Sequence, residues 1–164
     1  MRSAAEVWII MNEKLTKLVN GLEAKSIPFR LVELTGQAMK ARDVVKFSRI
    51  DVDVDDICKT IIWKTKSGLI AVFLKDNKRI NLDKLQKFLN AKVAMASSEE
   101  VKQKTGLERG AVCPLLLDMP LVMDRQILDM EKAIFGSGDH SYEIEMNPND
   151  ILNLTQARIA KLSD

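Results

Sequence analysis

Thr105-Gly106-Leu107-Glu108-Arg109-Gly110-Ala111-Val112-Cys113-Pro114 joins a helix-like segment to the apolar run Leu115-Leu116-Leu117. Glycine permits backbone conformations and close approaches that other residues do not, and proline fixes the direction in which the chain leaves. A rigid loop of this kind can aim several backbone N–H groups into one small volume. An ordinary helix-to-strand turn has a similar composition and no such task. Two features elsewhere favour the first reading: Lys59 upstream, and the glycine-rich turn Gly136-Ser137-Gly138-Asp139-His140 downstream.

The elements around the loop are mixed. On its N-terminal side, Ser97 and Glu100 have capping-box spacing, so a helix is expected from there to about Lys104. Before that come a short helix carrying Leu82, Leu85, Phe88 and Leu89 and a strand at Val93-Ala94-Met95. Ile57 to Lys64 and Leu69 to Leu74 flank Ser67-Gly68 and read as a β-hairpin. Ile27 to Leu34 alternates like a strand, and Thr35 is placed to cap a helix containing Ala38, Val44, Val45 and Phe47. Val7, Ile10, Met11, Leu15, Leu18, Val19 and Leu22 recur at helical spacing, in a helix expected to end near Lys25 before Pro28. Beyond the loop, strands are expected at Leu121-Val122-Met123, Ala133-Ile134-Phe135 and Tyr142 to Met146. A helical turn follows at Asn149 to Leu154, then a final helix over Thr155 to Leu162. There is no regular βαβ rhythm, which favours an α+β fold with a mixed sheet.

Composition limits the function classes. The 164 residues are 46% hydrophobic and 29% charged, as in a soluble globular domain. With 25 basic and 23 acidic residues the net charge is +2, so the chain has no general attraction to nucleic acid. No segment approaches the roughly 18 apolar residues of a membrane-spanning helix, and the N-terminus lacks a convincing signal-peptide pattern. The two cysteines, Cys58 and Cys113, have neither metal nor redox spacing and suit a reducing cytoplasm.

Single residues give sharper readings beside plainer ones. On a strand, Lys59 shares a face with Ile57, Ile61 and Trp63, so its ammonium needs an anion or a route to water. It either snorkels from an edge or serves a phosphate or developing oxyanion. His140 is the only histidine, which rules out a histidine-rich metal site. Gly136-Ser137-Gly138 lacks the spacing and following helix of a dinucleotide loop. Asp51, Asp53, Asp55 and Asp56 invite a calcium reading. Counted from Asp51, however, an EF-hand would need glycine at Asp56 and glutamate at Ile62, so a solvated acidic turn is favoured. Cys113 lies among apolar residues and reads as a small buried hydrophobe, with a thiol nucleophile as the rival.

Several of these pieces fall into one ordered pattern. Lys59-Thr60-Ile61-Ile62, Ile80-Asn81-Leu82-Asp83-Lys84-Leu85, Ala96-Ser97-Ser98-Glu99-Glu100-Val101, Thr105-Gly106, Gly110-Ala111-Val112-Cys113-Pro114, Leu121-Val122-Met123-Asp124 and the turn from Gly136 to His140 follow one another as in a known family. Together they resemble the YbaK-type aminoacyl-tRNA editing domains, which include the editing insertion of bacterial prolyl-tRNA synthetase. The Gly110–Pro114 segment matches the family's GXXXP loop. The resemblance covers about residues 35 to 155 and is specific for the family but weak for the substrate.

The resemblance implies a mixed, partly barrel-like β-sheet surrounded by helices, forming one editing domain over residues 1–164. Helices at about 4–25 and 155–162 would flank its core. It implies hydrolysis of the ester between a wrong amino acid and the terminal adenosine of a tRNA, with neither cofactor nor metal. Small amino acids differ too little for one synthetase pocket to reject, so a second hydrolytic sieve is useful. Lys59 would hold the phosphate or hydroxyl region of the adenosine. Gly110 would bring backbone N–H groups to the reacting carbonyl, and His140 would help define the amino-acid pocket. Thr60, Ala111, Val112, Cys113, Pro114, Gly136, Ser137, Gly138 and Asp139 would complete the substrate site, with Asp139 orienting His140 or the substrate ammonium.

Leu115 and Leu116 replace a phenylalanine–glycine pair frequent in the family, and the Gly136–His140 turn differs from an arginine-containing version. Alanine, cysteine and serine therefore all stay open as the amino acid removed, with tRNA for proline one option as carrier. The expected partners are the acceptor end of a mischarged tRNA and a synthetase, not DNA or a membrane. Contact with tRNA would fall to Lys64, Lys66, Lys75, Lys78, Arg79, Lys84, Lys87, Lys102, Lys104 and Arg109. No synthetase module is discernible, so editing in trans is expected. A non-catalytic module that binds aminoacyl-tRNA or a synthetase through the same cavity is the alternative.

Overall fold

Residues 11–164, which the computed structural model describes, run in the order α1 (Glu13–Ala24), β1 (Arg30–Glu33), α2 (Ala41–Phe47), β2 (Cys58–Thr65), β3 (Gly68–Lys75), α3 (Leu82–Leu89), β4 (Ala94–Met95), α4 (Ser98–Thr105), β5 (Leu121–Asp124), β6 (Ala133–Gly136), β7 (Tyr142–Met146), α5 (Pro148–Thr155) and β8 (Arg158–Ala160). Short 3-10 turns lie at Val54–Asp56, Pro114–Leu116 and Arg125–Asp129.

The β2–β3 hairpin is the centre of a five-stranded mixed sheet ordered β4-β2-β3-β5-β8. Its register sets Lys59 opposite Leu74 and Thr60 opposite Phe73. Alternation sorts its side chains between two cores: Cys58, Ile62, Ala71 and Phe73 enter one, while Trp63, Ile70, Val72 and Leu74 enter the other. Strands covered on both faces need continuous apolar runs, and Leu69-Ile70-Ala71-Val72-Phe73-Leu74 supplies one. Leu85 of α3 and Leu162 close the second core, and Leu15, Val19 and Leu22 of α1 pack into the first.

A three-stranded antiparallel sheet, β1-β7-β6, faces the larger one. Phe135 of β6 meets Phe73 of β3 edge-on with ring centroids 5.6 Å apart. Such a pair contributes about 0.5–1.5 kcal/mol beyond burial of its area. A parallel bridge between Ile57 and Ile134 joins the sheets at one corner, so they form a partly barrel-like arrangement rather than a closed barrel. On the outer face of the small sheet, Val32 and Ile134 pack with Ala41 and Val44 of α2. The α+β class with a mixed sheet is therefore as expected.

Three expectations differ from the structure. Thr155 to Leu162 does not continue as a helix: α5 ends at Thr155, and Gln156 turns left-handed at φ 55°. Arg158–Ala160 then pairs parallel with Val122–Asp124 as β8. Helical spacing over so few residues cannot reveal a partner strand distant in sequence. Thr35 does not cap α2, because its hydroxyl donates to the Phe47 carbonyl; α2 starts after Lys40, where Asp43 accepts from the Met39 and Lys40 N–H groups. The first helix, expected over about residues 4–25, begins at Glu13 with Asn12 capping it from outside, while residues 4–10 lie outside the described residues.

Candidate active site

A cavity of about 670 Å³ opens where α2, the start of β2, the N-terminus of α4 and the glycine-proline loop converge. Lys59, Thr60, Gly110, Val112 and Gly136 all line it. Lys59 reaches it from β2, half-buried, with Nζ donating to the Asp76 carbonyl oxygen at 2.9 Å. A neutral carbonyl leaves the ammonium's charge uncompensated and two of its three protons available. Next to it the Thr60 hydroxyl is buried with no hydrogen-bond partner among the described residues.

The loop is held by backbone contacts that only glycine allows. Gly110 has φ +87°, and a Cβ on it would lie 2.9 Å from the Ala38 carbonyl oxygen and 2.9 Å from Met39 Sδ. A Cβ on Gly136 would lie 2.6 Å from the Val112 carbonyl oxygen. The two glycine segments, distant in sequence, therefore pack backbone on backbone, and the Gly138 N–H donates to Ala111 O at 2.8 Å. Among the described residues the N–H groups of Gly110 and Val112 make no backbone hydrogen bond. Both residues line the cavity, and unengaged main-chain donors of this kind suit an oxyanion when they face it.

The other expected site residues sit behind or beside the cavity. Ala111 and Cys113 are buried, and Pro114 opens a 3-10 turn. Burial pushes the Cys113 thiol up to about 12, which keeps it protonated near neutrality. Ser137 is fully buried, and its hydroxyl donates to the Asp139 and Tyr142 carbonyl oxygens. The Asp139 carboxylate accepts from the Asn12 and Ser141 N–H groups, and Gly138 O accepts from the Asn12 side chain. The turn is thus docked onto the cap of α1. The His140 ring points towards Glu108, with Nε2 3.3 Å from its carboxylate. His140 and then Lys102 hold the Glu108 carboxyl below its usual range. Neither Asp139 nor His140 lines the cavity.

Several further residues, not assigned to the substrate pocket from the sequence, also line the cavity. Ser97 and Ser98 come from the start of α4, Arg109 and Lys40 bring positive charge, and Met39 and Met95 stand exposed at the walls. Glu143 enters from β7, buried among apolar neighbours, and burial pushes its carboxyl up to about 8. Its position beside polar Glu145 on an alternating strand looks solvent-facing in the sequence, and only the packing of α2 reveals otherwise. Of the basic rim, Lys64 pairs with Glu100, Lys84 with Asp164 and Lys102 with Glu108, so part of that charge is locally compensated. Asp124 of the family-like Leu121–Asp124 stretch is fully buried away from the cavity. Its carboxylate accepts from the Leu162 and Ser163 N–H groups and the Ser163 hydroxyl.

An α+β scaffold that presents a lysine and a GXXXP loop to one cavity defines a class of tRNA-editing domains. The chain belongs to the aminoacyl-tRNA editing domain family, whose model matches residues 35–154. It is 30% identical to the proline–tRNA ligase of Lactobacillus acidophilus over 85% of this chain and 27% of that protein. It is 25% identical to the proline–tRNA ligase of Caldicellulosiruptor bescii over 93% of this chain and 26% of that protein. The chain thus spans about a quarter of the length of these relatives. Among solved structures, the hypothetical protein APE2540 superposes with a TM-score of 0.82 at 26% identity, covering 90% of this chain and 99% of that one. A proposed trans-editing enzyme for prolyl tRNA synthetase shares the fold with a TM-score of 0.81 at 21% identity, covering 94% and 99%. Among the described residues no helix is long and apolar enough to cross a membrane.

Proposed function

We propose that the chain is a metal-independent aminoacyl-tRNA deacylase acting in trans in the cytoplasm. It removes a small mischarged amino acid, such as alanine, cysteine or serine, from a tRNA for which proline is the first candidate. The observation that carries this reading is the convergence of Lys59, Thr60, Gly110 and Val112 on one cavity. An aminoacyl ester is already activated, so holding it still and stabilising its tetrahedral oxyanion are the main requirements. Lys59 binds the terminal adenosine through its phosphate or hydroxyl groups and orients the ester. The Gly110 and Val112 N–H groups take the developing oxyanion, and the substrate's ribose hydroxyl helps to activate the water. His140 acts from behind, through Glu108, on the shape of the Glu108–Pro114 loop. The relatives' identity as proline–tRNA ligases supports proline tRNA as the carrier.

Purified chain incubated with alanyl-, cysteinyl- and seryl-tRNA is expected to release at least one of these amino acids without added synthetase. Lys59→Ala is expected to reduce that release by roughly a hundredfold, the scale on which loss of substrate orientation acts. Release at the unaltered rate by a folded Lys59→Ala protein would remove Lys59 from the mechanism. Binding of charged tRNA without release of any amino acid would favour the non-catalytic reading.

A further inference from the structure

Glu143 has no assigned role in the reaction, yet its placement is unusual. It is 5% exposed and lines the cavity, and no hydrogen bond or ion pair to its carboxyl occurs among the described residues. In the small sheet it lies opposite Gly136 on one side and Val32 on the other. Cross-strand partners share a face, so Glu143 stands beside the glycine whose backbone abuts Val112 of the loop. Val32 and Ile134 on the same face belong to the apolar cluster under α2. The charged side chains on the cavity wall, Lys40, Lys59, Asp76 and Arg109, leave this carboxyl unpaired. Burial alone raises its pKa, and the titratable groups that sense its charge are the buried thiols of Cys58 and Cys113.

An unpartnered buried carboxyl is costly, and a cavity that retains one is complementary to a cation or a strong donor. The cavity lining carries both signs of charge. Lys59 and Arg109 suit the anionic nucleotide, while Glu143, set beside the apolar cluster of Val32 and Ile134, suits a small group that carries positive charge. An aminoacyl ester presents that group, an α-ammonium beside a short side chain. Resting on the editing reading above, we propose that Glu143 is the subsite for the α-ammonium of the aminoacyl group, and so distinguishes aminoacyl esters from acyl esters lacking the amine.

With the cavity empty, the buried carboxyl is mostly protonated near pH 7. Arrival of the ammonium favours the carboxylate, so binding releases a proton from Glu143 to solvent. The bond formed is an N–H···O hydrogen bond between ions, and no covalent change is involved.

The test uses two non-hydrolysable probes, 3′-(L-alanylamino)-3′-deoxyadenosine and its 3′-propionylamino counterpart, which lacks the α-amine. Titration calorimetry in buffers of different ionisation enthalpy reads both affinity and proton release. The wild-type protein is expected to prefer the amine probe by roughly tenfold to a hundredfold, the range of a charge-assisted hydrogen bond, and to release a proton on binding it. Glu143→Gln is expected to lose both the preference and the proton release while binding the propionyl probe as before. Glu143→Asp, which keeps the charge, is expected to retain part of each. An unchanged preference in Glu143→Gln, or equal loss for both probes at an unchanged thermal midpoint, overturns the proposal. A parallel comparison of alanyl-tRNA with lactyl-tRNA separates the two readings. Hydrolysis by the wild type with no amine preference removes the Glu143 assignment and keeps the deacylase. An amine preference without any hydrolysis does the reverse. Loss of lactyl-tRNA hydrolysis in Glu143→Gln, equal to the loss with alanyl-tRNA, would make Glu143 a general base and also overturn the subsite.

Discussion

Gly110 joins the chain's sequence most directly to its chemistry. At its φ of +87°, a Cβ would sit only 2.9 Å from the Ala38 carbonyl oxygen, which leaves no room for a side chain. Gly110→Ala is therefore expected to cost about 1–3 kcal/mol of stability and to displace the loop N–H groups from the cavity. Urea unfolding and deacylation kinetics on the same sample check this, and unchanged turnover would show that the loop does not hold the oxyanion. Residues with special backbone needs are the most readable in a sequence, because a glycine–proline spacing is written locally. Lys59 is readable for a related reason: a charge within an apolar alternation calls for an explanation. Glu143 is not readable, since Tyr142-Glu143-Ile144-Glu145 has the pattern of a half-exposed strand. The partners of Asp139 are equally hidden: its carboxylate serves Asn12, more than a hundred positions away, which no local pattern encodes.

Among the elements, α4 links the sheet to the cavity. Its capping box is complete: Ser97 Oγ accepts from the Glu100 N–H at 3.1 Å, and the Glu100 carboxylate accepts from the Ser97 N–H at 3.2 Å. The same carboxylate pairs with Lys64 of β2, so its pKa lies below the usual range, chiefly through the Ser97 backbone bond and then Lys64. Ser97→Ala is expected to remove about 1 kcal/mol, within the range for lost caps, and to lower the thermal midpoint by roughly 2–4 °C. A melting temperature equal to the wild type's would mean that α4 starts without help from Ser97. The capping box and the β2–β3 hairpin are legible because each is specified within a few residues. The strand Arg158–Ala160 is not, because what makes it a strand is the edge of β5. An isolated segment with alternating and helical matches of equal quality cannot decide between them.

At the scale of the whole molecule, the large sheet changes character halfway across. It is antiparallel through β4, β2 and β3 and parallel through β3, β5 and β8. The parallel half depends on Asp124, a buried carboxylate whose acceptor capacity is met only by Leu162 and Ser163 among the described residues. Asp124→Ala is expected to destabilise the protein by about 1–3 kcal/mol, as when buried donors are left without their acceptor. Hydrogen exchange at the Leu162 N–H should accelerate with it. Asp124→Asn, which keeps one acceptor oxygen, should lose less. Equal protection of that N–H in all three proteins would show that β8 is held by its neighbours alone. The Asp124 clasp also sets an order in time. Every wall of the cavity comes from residues 38–143, so these are translated before the segment that satisfies β5. A nascent chain that has reached Met146 carries all the chemistry of the site but still has an open sheet edge and a buried carboxylate awaiting its donors. On the editing reading proposed above, the site is therefore expected to become complete only when residues 158–163 have left the ribosome and docked, later than the point at which its cavity walls have been made.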